Sequence, residues 1–268
     1  MFVFVSMLIS IGILAAMLFF SRQKQTGLQR KYELLVDLRK LLNLCRQHRS
    51  ATHYALTSQY DPKSELVRIE DQLIEQSNHL VATAQFENRP MYRILQLKLK
   101  ELSKDWRDRT VARNQMMHGK VIRQCMFLMD EIALAWLVES GREDLSDEYH
   151  TNWQQVIDAM EALTQLRIAI QDLDNDEGRL RLNYYCDRMR RKLNQLALIS
   201  PLSIASPTCS KAMHVLSEMH DNSHMDISSE EMYRVSSDIS LSICQVYDQV
   251  LSDITESLYL PLPKMALV

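Results

Sequence analysis

Glycine and proline are scarce in this sequence, with five Gly and six Pro in 268 residues. A β-rich fold needs many tight turns, and these two residues supply a large share of them. The chain is instead rich in Leu, Gln, Glu, Lys, Arg, Ala and Met, which are all good helix formers. The composition therefore predicts an all-α protein.

The sequence also lacks the cysteine patterns of a metal site or a disulfide framework. Its five cysteines are odd in number, widely spaced and form no CxxC or Cys/His cluster. They are Cys45, Cys125, Cys186, Cys209 and Cys244. We interpret them as buried free thiols in a reducing compartment, with a redox switch as the alternative.

Motifs of the common enzyme classes are missing as well. The chain has no P-loop, no dinucleotide-binding glycine fingerprint, no HExxH and no nucleophile elbow, and no acid/base pair stands out. Its formal net charge of -3 gives no general attraction for nucleic acid. We expect a protein that is not an enzyme, has no cofactor and does not bind nucleic acid.

The first distinctive segment is an apolar N-terminus, which reads MFVFVSMLISIGILAAMLFF and has no charged side chain. A helix needs about 20 such residues to cross the hydrocarbon core of a bilayer. No basic residue precedes the apolar stretch, which favours an uncleaved anchor over a cleaved signal peptide. Arg22, Lys24, Arg30 and Lys31 follow it, and basic flanks tend to stay in the cytoplasm. We predict a single-pass transmembrane anchor over residues 1–21 in the inner (plasma) membrane, with a cytoplasmic body and the lipid bilayer as partner.

Apolar residues recur at helical spacing throughout residues 22–260, which we assign to one helical-bundle domain followed by a short tail at 261–268. The clearest seam lies near the C-terminus and consists of Val235, Ile239, Ile243, Val246, Val250 and Ile254. The predicted architecture is an elongated helical bundle. It is either a single bundle or two fused four-helix bundles that share long helices.

Turn signals divide this domain into separate helices. The first helix of the domain is predicted from Gly27 to about Tyr60. A third helix begins near Met91, and its apolar pattern can continue past Gly119 to Ser140. The pattern is therefore compatible with one very long helix or with two.

Two arginines fall on core positions of their helices. Seven-residue phasing groups Arg49 with the leucine core of the first helix and Arg167 with Trp153 and Met160. Burying a guanidinium costs several kcal/mol unless a carboxylate or a bound anion compensates. Its planar donor fork fits two oxygens of one anion, so a small oxyanion between the two arginines is one hypothesis. The alternative is that each side chain reaches the bundle edge or pairs with Asp or Glu.

Two histidines flank the first of these arginines. His48 and His53 lack metal-ligand spacing and have no nearby acidic cluster in the sequence. We interpret them as polar histidines of the bundle.

Three stretches, LLNLCRQHRSATHYAL, HGKVIRQCMFLMDEIALAWL and EALTQLRIAI, together resemble the nitrate- and nitrite-sensing (NIT) domain family. The resemblance covers about residues 28–200, or in its longest form residues 28–258. It implies an all-helical double bundle in which arginines from different helices bind nitrate or nitrite and shift helices toward an output. Arg49 matches the arginine of the first-helix motif, Arg167 matches that of a later Leu-Arg element, and Arg123 is a secondary candidate. The family usually shows Glu-Arg-Gly where this chain has His48-Arg49-Ser50, and no output domain follows.

The function predicted from the sequence is a membrane-anchored signal-sensing module. It would bind a small oxyanion such as nitrate or nitrite through Arg49, Arg167 and, secondarily, Arg123. It would signal through a homodimer or a separate signalling protein. The alternative is a membrane-tethered helical scaffold with no small-molecule ligand.

Overall fold

The computed structural model describes residues 2–58, 62–221 and 227–264, and within these ranges it contains α-helices, short 3₁₀ turns and no strand. Some side chains, namely those of residues 2–6, 8–10, 18, 20–24 and 221, lie outside the description. The all-α prediction is confirmed. The α-helices of the described ranges are α1 (Phe2–Thr57), α2 (Lys63–Thr83), α3 (Arg89–Ser103), α4 (Val111–Glu139), α5 (Ser146–Ala169), α6 (Asp176–Leu196), α7 (Pro201–Ile204), α8 (Pro207–Asp221) and α9 (Ser229–Leu258).

Polar caps begin three of the long helices. Thr110 caps α4, Asn175 caps α6 by accepting a hydrogen bond from the Gly178 amide at 2.7 Å, and Ser228 caps α9. The side chain of Glu231 bonds back to the Ser228 amide and completes a capping box. Each cap satisfies backbone amides that the first turn of a helix leaves without a partner.

The very long third helix is not formed, because α3 ends at Ser103 and α4 begins at Val111. Between them Asp105 adopts a left-handed backbone with φ 50°, and the buried Trp106 starts a 3₁₀ turn. Neither Gly nor Pro occurs in this connection, although Asp105 and the cap residue Thr110 are residue types typical of turns and helix starts. A seven-residue connection, residues 104–110, therefore separates the two helices.

The long helices pack in two groups of four. In one group α1 packs against α2 and α4, and α3 closes the set against α2 and α4; in the other, α5, α6, α8 and α9 pack around each other. Contacts of α4 with α5 and with α9 join the two groups. Predicted core residues such as Leu35, Leu42 and Ile243 are fully buried. Burial of these side chains is the main stabilising contribution.

Helix α1 runs without a break from Phe2 into the packed body. Among the described helices, none combines the length and the low polarity that a bilayer crossing requires. The anchor predicted for residues 1–21 therefore has no support from the structure, and Met1 and many side chains of this segment lie outside the described residues.

The predicted tail is described as far as residue 264 and returns to α1. The carbonyl oxygen of Pro261 accepts a hydrogen bond from the Tyr32 hydroxyl at 2.8 Å, and that of Pro263 accepts one from Arg39 at 3.2 Å. Leu262 between them is buried. The end of the described chain thus fastens α9 to the first helix.

Candidate functional site

Three arginine side chains are buried where α1, α5 and α9 approach one another. Arg46 and Arg49 lie one turn apart on α1, so they share a face of that helix. Each is 5% exposed, and Arg167 on α5 is only 1% exposed. Arginine is rarely buried to this degree unless it is paired, so the group calls for a compensating contact.

Arg167 is held by α9. Its Nε donates to the Ser236 hydroxyl at 3.0 Å, and its Nη2 donates to the Ser236 carbonyl oxygen at 2.9 Å. Its guanidinium carbon also lies 5.8 Å from the centre of the Tyr233 ring. These contacts orient the cation between α5 and α9, but they are neutral and do not balance its charge.

Arg46 and Arg49 have side-chain N–H donors that no described residue uses. Nε and Nη1 of Arg46 and Nε of Arg49 are buried without a hydrogen-bond partner among the described residues. Within the same ranges, no carboxylate oxygen lies within 4.0 Å of a side-chain nitrogen of Arg46, Arg49 or Arg167. The protein interior here holds three guanidinium groups without a carboxylate in direct contact.

The electrostatics show that these groups act on one another. Burial lowers the pKa of Arg167 well below its ordinary value, and the charge of Arg49 lowers that pKa further. The pKa of Arg49 is lowered by burial too, with Tyr233 opposing and Arg46 adding to the shift. Burial, followed by the charges of Arg167 and Arg49, lowers the pKa of His53 to about 4. This is the signature of a cluster of like charges in a region of low polarity.

An aromatic stack forms one wall of the cluster. The rings of His53 and Tyr233 lie nearly parallel with their centres 3.4 Å apart. Nδ1 of His53 accepts a hydrogen bond from Gln115 at 3.3 Å, in keeping with a neutral imidazole. The Tyr233 hydroxyl is buried beside Arg49 and raises the pKa of that guanidinium, so the ring and its hydroxyl form part of the wall of the cluster.

A cleft of about 650 Å³ opens beside the two arginines of α1. Residues from α1, the start of α2 and α9 line it, and Arg46 and Arg49 are both part of its wall. Glu65 and Asp238 also line the cleft, and burial raises the pKa of the Asp238 carboxyl. Arg46 and Arg49 therefore border a cleft with room for a small anion, and the two acidic side chains would oppose the entry of any anion.

Two of the three predicted ligand residues come together, while the third does not join them. Arg49 and Arg167 belong to the buried cluster. Arg123 on α4 instead pairs with the carboxylate of Glu161 on α5, and about a third of its side chain is exposed. Its role as a ligand stays a prediction without a geometric reason.

The histidines predicted to be polar residues of the bundle are both buried. His48 contacts His118 and Glu70, whereas His53 stacks on Tyr233. No group of three or more His, Cys, Asp or Glu side chains within residues 2–58, 62–221 and 227–264 could hold a metal ion. The cysteines of the described chain are all free and buried.

Sequence reasoning missed Arg46, Tyr233 and Ser236. Arg46 could have been found, because it precedes Arg49 by three positions and one helical turn. Tyr233 and Ser236 carry no such signal, since their contacts depend on how α9 packs against α5 and α1.

Comparisons with protein-family models, with characterised proteins and with solved structures find no match to this chain. The resemblance to NIT domains stays a prediction from the sequence, and the function has to be argued from the site.

Proposed function

We propose that this protein is a membrane-anchored sensing module that binds a small oxyanion such as nitrate or nitrite at its buried arginines and signals through a partner. The observation that carries the proposal is the cluster of Arg46, Arg49 and Arg167 with no carboxylate in contact within the described residues. An anion at this position would compensate the cost of burying like charges.

The donor chemistry favours an oxyanion over a simple halide. Guanidinium groups present planar pairs of N–H donors, which match two oxygens of one planar or tetrahedral anion. The unpartnered donors on Arg46 and Arg49 are available for this purpose, whereas Arg167 already uses two nitrogens on Ser236. We therefore place the anion mainly on the arginines of α1, with Arg167 closing the site from α5.

Binding in such a site gives a direct route to a signal. The three arginines sit on α1 and α5, and Arg167 is bonded to α9, so repulsion within the cluster acts between helices. An anion reduces this repulsion and favours a closer arrangement of the same helices. Because α1 is continuous from Phe2 to Thr57, a shift at Arg49 would be transmitted along that helix toward the predicted anchor.

The partner that receives the signal would be a second copy of the chain or a separate signalling protein. The membrane part of the proposal rests on the uncharged opening of the sequence and on the basic residues that follow it.

Thermal unfolding of the full chain tests the proposal. Sodium nitrate or nitrite at millimolar concentration should raise the melting temperature above that in sodium chloride of equal ionic strength. At saturating anion the gain is about 2 to 3 kcal/mol, or roughly 5 °C for a chain of this size. Arg49→Met should remove the shift, and the control Arg181→Met, at an exposed arginine of α6 outside the cluster, should keep it. No shift with any oxyanion, or an equal shift in Arg49→Met, would overturn the proposal.

A scaffold function without a small-molecule ligand is the second candidate. Exposed apolar side chains on α2 and α3 favour it, since they could contact another protein. They are Val67, Ile74, Met91, Ile94 and Leu97. A scaffold would keep its assembly in Arg49→Met, because apolar replacement of buried ions is often tolerated, whereas a sensor would lose its response.

A further inference from the structure

A chain of three ionisable side chains crosses the bundle next to the arginine cluster. It starts at Glu70 on α2, passes through His48 on α1 and ends at His118 on α4. Nε2 of His48 lies 3.3 Å from Oε1 of Glu70, and its Nδ1 lies 2.8 Å from Nε2 of His118. Both histidines are fully buried, whereas the Glu70 side chain is 26% exposed.

The hydrogen-bond partners fix where the protons sit. Nδ1 of His118 lies 2.8 Å from the carbonyl oxygen of Asn114, which can only accept, so this nitrogen donates. Burial lowers the pKa of His118 well below its ordinary value and His48 lowers it further, so His118 is neutral and its Nε2 accepts. His48 must then donate through Nδ1.

The contact between His48 and Glu70 needs one further proton. With Nδ1 of His48 already protonated, a proton on Nε2 makes an imidazolium beside a carboxylate, and a proton on Glu70 makes a neutral pair. Without either, two acceptors face each other at 3.3 Å, one of them on a fully buried ring. The contact is therefore a hydrogen bond only if one proton lies between His48 and Glu70, and the partly exposed Glu70 connects this position to solvent.

We propose that anion binding at the arginine cluster is coupled to uptake of this proton between His48 and Glu70. The inference rests on the proposed function. Arg49 follows His48 directly on α1, and its charge already acts on His118. An anion that neutralises Arg49 removes a positive charge from beside the histidine chain, so the extra proton is held more firmly. By linkage, the proton strengthens anion binding by the same factor.

Other charged groups near the histidine pair also affect how anion binding depends on pH. The histidine pair faces Glu70 from α2, Arg49 from α1 and, beyond His118, Arg109 from the segment before α4. His53 does not contribute above about pH 5, because its pKa is lowered to about 4. Asp238 in the cleft is a competing source of pH dependence. Its carboxylate would also weaken anion binding as the pH rises.

Calorimetric titration of the full chain with sodium nitrate between about pH 5.5 and 8.5 tests the coupling. Nitrate affinity should fall about tenfold as the pH rises across this range, which is a typical strength for coupled sites. Titrations in two buffers of different ionisation enthalpy should show net proton uptake on binding at the middle of that range.

Substitution at Glu70 identifies the group responsible. Glu70→Gln should bind nitrate with little dependence on pH, because the amide can donate to a neutral His48 and no exchangeable proton is needed. Glu75→Gln makes the same charge change at an exposed position of α2 that does not contact His48 or His118. This variant should bind nitrate like the unaltered protein. Circular-dichroism melting of both variants checks that each is folded.

The outcomes separate the two proposals. Nitrate binding whose affinity does not change with pH would overturn the coupling and leave the anion site intact. Equal pH dependence in Glu70→Gln would also overturn it and would point to Asp238. No nitrate binding at any pH would overturn the proposed function, and the coupling with it.

Discussion

Arg167 on α5 and Ser236 on α9 are joined by two hydrogen bonds, one to the serine hydroxyl at 3.0 Å and one to its carbonyl oxygen at 2.9 Å. The hydroxyl in turn donates to the Tyr233 carbonyl oxygen at 2.7 Å. This arrangement fixes a buried cation between two helices, and no carboxylate of the part of the chain that the structure describes contacts it.

Arg167→Met tests what this arrangement contributes. A buried cation without an ionic partner carries a large desolvation cost, so an apolar side chain of similar length should leave the free energy of unfolding unchanged or raise it by about 1 to 2 kcal/mol. The stabilisation by nitrate should disappear at the same time. Urea unfolding with and without nitrate measures both effects. A loss of more than about 3 kcal/mol, with the nitrate effect retained, would assign Arg167 a structural role instead.

The free energy of unfolding should depend on pH because of His53. Its pKa is lowered from 6.5 to about 4 on folding, so between these values the unfolded chain binds a proton that the folded chain does not. Stability should therefore fall as the pH falls from 6.5 to about 4, by up to roughly 3 kcal/mol.

His53→Phe keeps the stack on Tyr233 and should remove this part of the pH dependence. Urea midpoints measured across that pH range show whether it does. His118, whose pKa burial also lowers, would keep some residual slope. An unchanged slope in His53→Phe would show that His53 is not the group that titrates.

Gly178 marks a close approach at the start of α6. A Cβ on this residue would overlap the carbonyl oxygen of Asp172, which is backbone and cannot swing away. Gly178→Ala should cost at least about 2 kcal/mol of stability. The matched control is Gly27→Ala in α1, where a Cβ meets nothing within 4 Å and should raise stability by about 0.5 to 1 kcal/mol. Equal effects of the two substitutions in chemical denaturation would contradict the packing at the α6 start.

The predicted anchor is tested by cell fractionation. The full chain should be recovered with membranes and resist extraction at high pH, as an integral protein does. Deletion of residues 1–21 should move it to the supernatant while retaining the basic residues Arg22 and Lys24. Recovery of the full chain in the supernatant would show that the opening segment does not anchor it.

Part of this architecture could be predicted from the sequence, because helical periodicity is a local property. The α9 seam and the inward positions of Arg49 and Arg167 follow from it, and the structure buries both arginines. The break between α3 and α4 is not predicted in this way, because the connection contains no Gly or Pro and the apolar pattern resumes after it.

The contacts that give the candidate site its character are not local. Ser236 reaches Arg167 and His118 reaches His48 only after distant helices have packed. Single-helix phasing places Arg123 off the apolar stripe of its helix, but its pairing with Glu161 could not be predicted, because that contact depends on how α4 packs against α5.

The most direct test of the central claim is to follow the arginine Nε–H signals of the full chain by NMR during titration with nitrate. The account predicts saturable shifts of the Arg49 and Arg46 signals, whose Nε groups lack partners among the described residues. Arg39, whose Nε donates to Asp248 at 2.9 Å, should stay unchanged as an internal reference. Unchanged signals from Arg49 and Arg46, or a small linear drift shared by all three arginines, would contradict the claim that these guanidinium groups bind an anion.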